Sequence, residues 1–316
     1  MVHRKQGQKK KDPSRYRTYS FLVTLAVIFV IISATYYQTL PTVGHIPDTF
    51  VFKSQEWMAY APANAEFVGY VNYKQVYSTT GNSSIFGTDV VIAFTQFGFN
   101  IIPLDLIYEV GIQLPDPPYS GSALVLQVSA WKQTELTRFL SSVNLTKIQR
   151  PVSYDGYLIY DLLMKELGDK AAGLGYLAVV NGDIVLSTDK ASALQNVEAV
   201  VDQISSGRPS LFSDVTARRG IYATGVTDQN CIALFVGRFP TQLNDTEMAT
   251  KSVIGSGGSV QVSRAFLFPS SDLALQRWSQ AHTVYTNADS YSILDSWLVV
   301  TYDYPFSRIP VEIVGI

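Results

Sequence analysis

The stretch Tyr19–Tyr37, YSFLVTLAVIFVIISATYY, runs for nineteen residues without a charge. At about 1.5 Å of rise per residue, a helix of this length spans a hydrocarbon core of roughly 30 Å. Tyr16 and Tyr19 stand at one end and Tyr36 and Tyr37 at the other, where interfacial aromatics belong. The stretch therefore predicts a single transmembrane helix that stays in the bilayer. A cleaved secretory signal is the competing reading, with Phe21–Ala34 as its apolar core. Against it, the small residues Ser33, Ala34 and Thr35 lead straight into Tyr36 and Tyr37. A buried core helix is the third reading. The basic flank and the lack of any formal charge from Thr18 to Pro47 oppose it.

The flanks set a direction. Arg4, Lys5, Lys9, Lys10, Lys11, Arg15 and Arg17 precede the stretch, against one acid, Asp12. Basic flanks stay cytoplasmic. Residues 1–18 are thus expected as a cytoplasmic tail, 19–37 as the membrane span and 38–316 as an extracytoplasmic part. The bilayer is the first expected partner, through residues 19–37, with the basic tail against anionic lipid. Of the 24 Lys and Arg, seven lie in the tail, and of the 26 Asp and Glu, one does. The remainder carries 17 cations and 25 acids, a net charge near −8 that argues against nucleic-acid binding.

About 280 exterior residues are enough to bury a substantial core. Cys231 is the one cysteine, so no internal disulfide forms. It sits in the apolar run CIALFVG and reads as a small buried hydrophobe. Asn82-Ser83-Ser84, Asn144-Leu145-Thr146 and Asn244-Asp245-Thr246 are sequons on the exterior side. Asn82, Asn144 and Asn244 are therefore candidate glycosylation sites in a host with the machinery.

Pro41, Gly44 and Pro47 mark residues 38–55 as a linker, with His45 a spacer that has no acidic neighbour in sequence. Strands are expected over Glu66–Asn72, Tyr108–Gln113, Ser122–Ser129, Tyr154–Leu162, Cys231–Arg238, Ser259–Phe268, Asp295–Asp303 and Pro310–Val314. A hairpin is expected over Leu177–Ser187, turning at Asn181-Gly182. Helices are expected over Asp89–Phe99, Lys132–Val143 and Ala191–Ser206, with Gly207 ending the last, and after Ser270 or Ser271. The run Tyr73–Gly81 reads as a short helix or loop.

Phe67-Val68-Gly69 recurs as Phe235-Val236-Gly237, and a strand–helix–strand order follows each. The expected fold class is α+β: a transmembrane helix, then antiparallel sheets with packed helices, arranged as two similar β-α-β halves over 56–208 and 209–316. Such halves would leave a cleft between them.

Three stretches carry a resemblance to a known family. One is the opening Tyr60-Ala61-Pro62-Ala63-Asn64-Ala65-Glu66-Phe67-Val68-Gly69-Tyr70-Val71. Another is Tyr154-Asp155-Gly156 before an aliphatic strand. The third is Val180-Asn181-Gly182-Asp183-Ile184-Val185-Leu186-Ser187-Thr188-Asp189, a helix and then Ser210-Leu211. From Trp57 to about Arg219 the chain resembles a family of prokaryotic envelope proteins known only as a domain of unknown function. The resemblance implies an N-terminal signal or anchor and an exported domain. It implies no catalytic residue.

The catalytic inventory is thin. A Ser-His-Asp triad would need His282, at the end of a helix where a positive side chain is favoured in any case. No His-Glu-x-x-His or cysteine pair gives a metal spacing. Asp105, Asp116, Asp155, Asp183 and Asp189 do not form a calcium-loop pattern and read as turn and cap residues. Gly255-Ser256-Gly257-Gly258 lacks the Gly-Lys-Ser/Thr ending of a phosphate loop. Aromatics near Asp116–Tyr119 and across Tyr285–Tyr304 are either a sugar- or peptide-binding surface or sheet-face tyrosines.

No cofactor is expected. The leading expectation is a non-catalytic, anchored extracytoplasmic protein of the cell membrane that either binds an envelope protein or polysaccharide or serves as a structural component of the cell envelope. The alternatives are a hydrolase using two facing carboxylates and a module for a small solute.

Overall fold

The computed structural model describes residues 27–28, 42–47, 56–81, 91, 94–95, 99–115, 121–142, 151–165, 171–188, 192–227, 230–238, 243, 245–256, 259–309 and 313. Two compact units divide the chain, residues 1–42 and 43–316. In the first, Val27 and Ile28 are helical and exposed. The rest of the expected 19–37 span lies outside the described residues. No helix among the described residues is long and apolar enough to cross a membrane.

Thirteen strands make one sheet: β1 (Thr42–Gly44), β2 (Phe67–Asn72), β3 (Leu106–Gln113), β4 (Ser122–Val128), β5 (Val152–Tyr154), β6 (Tyr157–Lys165), β7 (Ala171–Val180), β8 (Asp183–Ser187), β9 (Cys231–Gly237), β10 (Met248–Ser256), β11 (Ser259–Leu267), β12 (Ser290–Leu294) and β13 (Trp297–Pro305). Their order is β1-β12-β13-β11-β10-β9-β2-β3-β4-β8-β7-β6-β5. From β12 to β5 every neighbouring pair is antiparallel.

The helices with described bounds are α1 (Tyr73–Thr80), α2 (Ala130–Ser142), α3 (Ala193–Ser206), α4 (Val215–Ala223) and α5 (Ser271–Val284). They cover both faces. On one, here the front, α3, α4 and the 3-10 turn Glu56–Tyr60 bury Val110, Val125, Val185, Leu234 and Val236. On the back, α1, α2 and α5 close over Leu126, Leu186, Phe235, Val262 and Val300. A central strand can therefore be apolar on both faces; every residue of β9, CIALFVG, is buried. Cys231 is among them, a buried free thiol.

This architecture corrects the expected fold class. The sheet dominates, and the two halves do not stand apart around a cleft. They join through β2 and β9, which pair as Phe67↔Gly237, Val68↔Val236 and Gly69↔Phe235. The repeated tripeptide thus pairs with itself about Val68 and Val236. From this seam each half runs as a three-strand meander, β2-β3-β4 and β9-β10-β11, then a back-face helix, α2 or α5. A returning strand, β8 or β13, closes beside the third strand.

Several elements were not expected from the sequence, among them two strands and a helix. Strand β10, MATKSVIGS, buries Thr250, Lys251 and Ser252, and strand β12, SYSIL, stands beside β13. Helix α4 is started by the Asp214 carboxylate, which accepts from the Thr216 and Ala217 amides. Its Gly220 lies so close to the sheet that a Cβ there would sit 2.5 Å from the Trp297 ring. Within the expected linker, Thr42–Gly44 forms β1. Val91, Phe94 and Thr95 are helical, as expected for Asp89–Phe99, while the strand expected over 310–314 meets a helical Ile313.

Candidate functional site

The sheet ends on β5 and β6, a hairpin turned by Asp155 at φ 46° and Gly156 at φ 82°. β5 is three residues long because Pro151 precedes it and has no N–H to give a ladder. It pairs only with Tyr157, Leu158 and Ile159. Among the described residues, the outer edge of β6 from Tyr160 to Lys165 has no partner strand. Its inner edge is paired with β7 throughout.

Side chains alternate across β6. Tyr157 and Ile159 join the front core, whereas Tyr160 and Leu162 join the back core. Between them Asp161 faces front, directly opposite Tyr176 of β7. Burial raises the Asp161 carboxyl above its ordinary value. Burial and the charge of Asp161 raise Tyr176.

Nearby on the front, the Tyr154 hydroxyl donates to Asp202 Oδ1 of α3 at 2.9 Å, and Arg208 Nη1 lies 3.3 Å from Asp202 Oδ2. That hydrogen bond, with burial and the charges of Asp202 and Glu198, pushes Tyr154 up to about 12. Burial, then the charge of Asp202, raises Glu198. The front of this edge is acidic.

The back of the same edge is apolar. A groove of about 220 Å³ runs between α2 and the hairpin, lined by Thr137, Leu140, Leu158, Tyr160 and Val179. Leu158 is 47% exposed at its mouth.

The most buried acid is elsewhere. Asp183 leaves the Asn181-Gly182 turn facing front, 4% exposed, and accepts from the hydroxyls of Tyr60 and Tyr108, the latter at 3.2 Å. Burial raises its carboxyl; hydrogen bonds from Tyr60, Tyr108 and Gln127 oppose that. Burial and the Asp183 charge also raise Tyr108. Trp57 stacks on Tyr70 alongside, at 4.6 Å. These contacts pin the turn Glu56–Tyr60 to the hairpin. Asp183 is an internal clamp, closed to a substrate.

The other residues singled out in the sequence scatter. Asp105 accepts from the Ile102 amide and lies 3.6 Å from Lys132 Nζ, and Asp155 occupies its turn. Asp116, Asp189 and the three sequon asparagines Asn82, Asn144 and Asn244 lie outside the described residues. No group of three His, Cys, Asp or Glu residues among the described residues is placed to hold a metal.

His282 packs edge-on against Trp278 at 4.4 Å and stacks on Tyr291 at 3.7 Å, and burial lowers its pKa. Tyr285 and Tyr302 are core residues. The hydrolase alternative expected two facing acids with raised pKa values; Asp161 is raised by burial, and Glu198 by burial and then by the charge of Asp202. His45 is more than a spacer: its Nδ1 lies 2.5 Å from Asp295 Oδ1. Asp295 also receives Arg219 Nη2 at 2.7 Å and the Ile46 amide at 3.0 Å. Burial would raise Asp295, but these bonds outweigh it and hold its carboxyl below the ordinary value.

The open edge was missed in the sequence. Pro151 before a short strand, followed by Asp155-Gly156, was the available signal.

No family model matches the chain, and no curated protein does. Among solved structures it is similar to crystal forms I, III and IV of TP0453. TM-scores are 0.42–0.43 at 8–10% identity, covering 80–82% of this chain and 94–98% of that one. A likeness of this size carries no argument about fold or function.

Proposed function

We propose that the chain is a non-catalytic extracytoplasmic protein of the cell envelope that binds a protein partner along one end of its sheet. The apolar stretch 19–37 associates it with the bilayer, and the basic tail lies on the cytoplasmic side. The observation that carries the binding role is the outer edge of β6 from Tyr160 to Lys165, which has no partner strand among the described residues, with the 220 Å³ groove beside it. An exposed edge presents free N–H and C=O groups that recruit a further strand unless it is covered. The anchor side of the proposal rests on the uncharged run and its basic flank.

A photo-crosslinking residue placed at Leu158 of the full chain in intact cells tests this. The expected result is a discrete adduct with one envelope protein, absent when the same residue is placed at exposed Leu275 on α5. Identical adduct patterns from both positions, or none from Leu158, would contradict it.

A further inference from the structure

We infer that the β6 edge receives an extended peptide whose residues alternate between basic and apolar. The inference rests on the binding face proposed above and names the chemistry of its occupant.

Strand addition divides its work in two: backbone hydrogen bonds give affinity, and the two faces of the new strand give specificity. Here the faces differ in kind. A residue paired opposite Asp161 projects to the front, with its Cβ about 5 Å from that of Asp161. On this front the acids are Asp161, Glu198 and Asp202, against the one cation Arg208 at Asp202 among the described contacts. Residues paired opposite Tyr160 and Leu162 project to the back, where Leu158, Tyr160, Leu140 and Val179 line an open apolar groove. A lysine or arginine facing front places a positive charge beside the Asp161 carboxyl and favours its ionised form. An aliphatic side chain facing back fills the groove and covers Leu158.

The bulge between Leu162 and Leu163 limits the length of a regular added strand. The extra residue lies on β7, Leu174 between Gly173 and Gly175, and it bends the sheet locally beside this end of β6. The match is therefore strongest over the residues opposite Tyr160, Asp161 and Leu162. A single basic residue between two aliphatic ones is the smallest unit the edge reads.

The test uses the full chain in mild detergent and three labelled peptides in which valine alternates with lysine, serine or glutamate. Binding is followed by fluorescence anisotropy. The lysine peptide is expected to bind about fivefold more tightly than the serine peptide, and the glutamate peptide more weakly still. Asp161→Lys is expected to reverse the order of the lysine and glutamate peptides, and Leu158→Asp to weaken all three. Equal binding of the three peptides would overturn the basic preference while leaving a strand-binding edge intact. No binding by any of them would overturn the strand-binding reading itself.

Discussion

Phe67 and Phe235 stack at 6.1 Å across the two strands that join the halves of the sheet. Each belongs to the same Phe-Val-Gly tripeptide, and the register sets each ring opposite the other's glycine. A Cβ on Gly69 would come within 3.0 Å of the Phe235 ring, and one on Gly237 within 2.5 Å of the Glu66 carbonyl oxygen.

Gly237→Ala meets backbone that cannot move aside, so it should cost about 3 kcal/mol of stability by overpacking. Gly69→Ala meets the side of a ring that can shift, and should cost about 1 kcal/mol. Urea denaturation of the two variants measures the order. Equal losses would mean that the seam is not packed as described.

The Asp183 clamp predicts a pH dependence of defined sign. Its folded-state pKa lies above the ordinary value of 3.8. The contribution of the neutral carboxyl is fully present below that value and is lost as pH rises through the folded pKa. Asp183→Asn keeps an acceptor for the two tyrosines without the charge and should flatten this slope. Asp183→Ala removes the carboxylate that accepts from the Tyr60 and Tyr108 hydroxyls and should cost about 2–4 kcal/mol. Denaturation of the three proteins across acid and neutral pH checks both statements.

Asp295 behaves in the opposite sense. Its carboxyl is held below 3.8, so its contribution is present above that value and fades as pH falls through the folded pKa. Asp295→Ala removes the acceptor of the Ile46 amide and the partner of His45 and Arg219. Exchange of the Ile46 amide should accelerate about tenfold, a loss of roughly 1.4 kcal/mol in local protection. Unchanged exchange would show that the buried Ile46 side chain alone holds residues 45–47.

Local structure was legible where one residue type decides a backbone. Asn181-Gly182 and Asp155-Gly156 turn hairpins because Asn, Asp and Gly tolerate positive φ, seen at 51°, 98°, 46° and 82°. Gly207 ends α3 at φ 60° for the same reason. Strand β10 escaped notice because Thr250, Lys251 and Ser252 break its apolar pattern, yet covered faces bury them. Helix α4 escaped because Arg218-Arg219-Gly220 reads as a break, whereas the glycine is what lets the helix approach Trp297.

Sheet order was not legible. The joining of Phe67 to Gly237, and of His45 to Asp295 across 250 positions, depends on which apolar faces meet, and no local signal records that. The open edge belongs to the same category. Pro151 shows where β5 stops, but only the sheet order shows that nothing among the described residues continues beside β6.

Amide hydrogen exchange of β6 in the full chain, free of added peptide, is the most direct measurement. The account predicts that between Tyr160 and Lys165 the amides directed toward β7 exchange slowly and those directed outward exchange fast. Uniformly slow exchange along β6 would show that its outer edge is already paired, and would contradict the account.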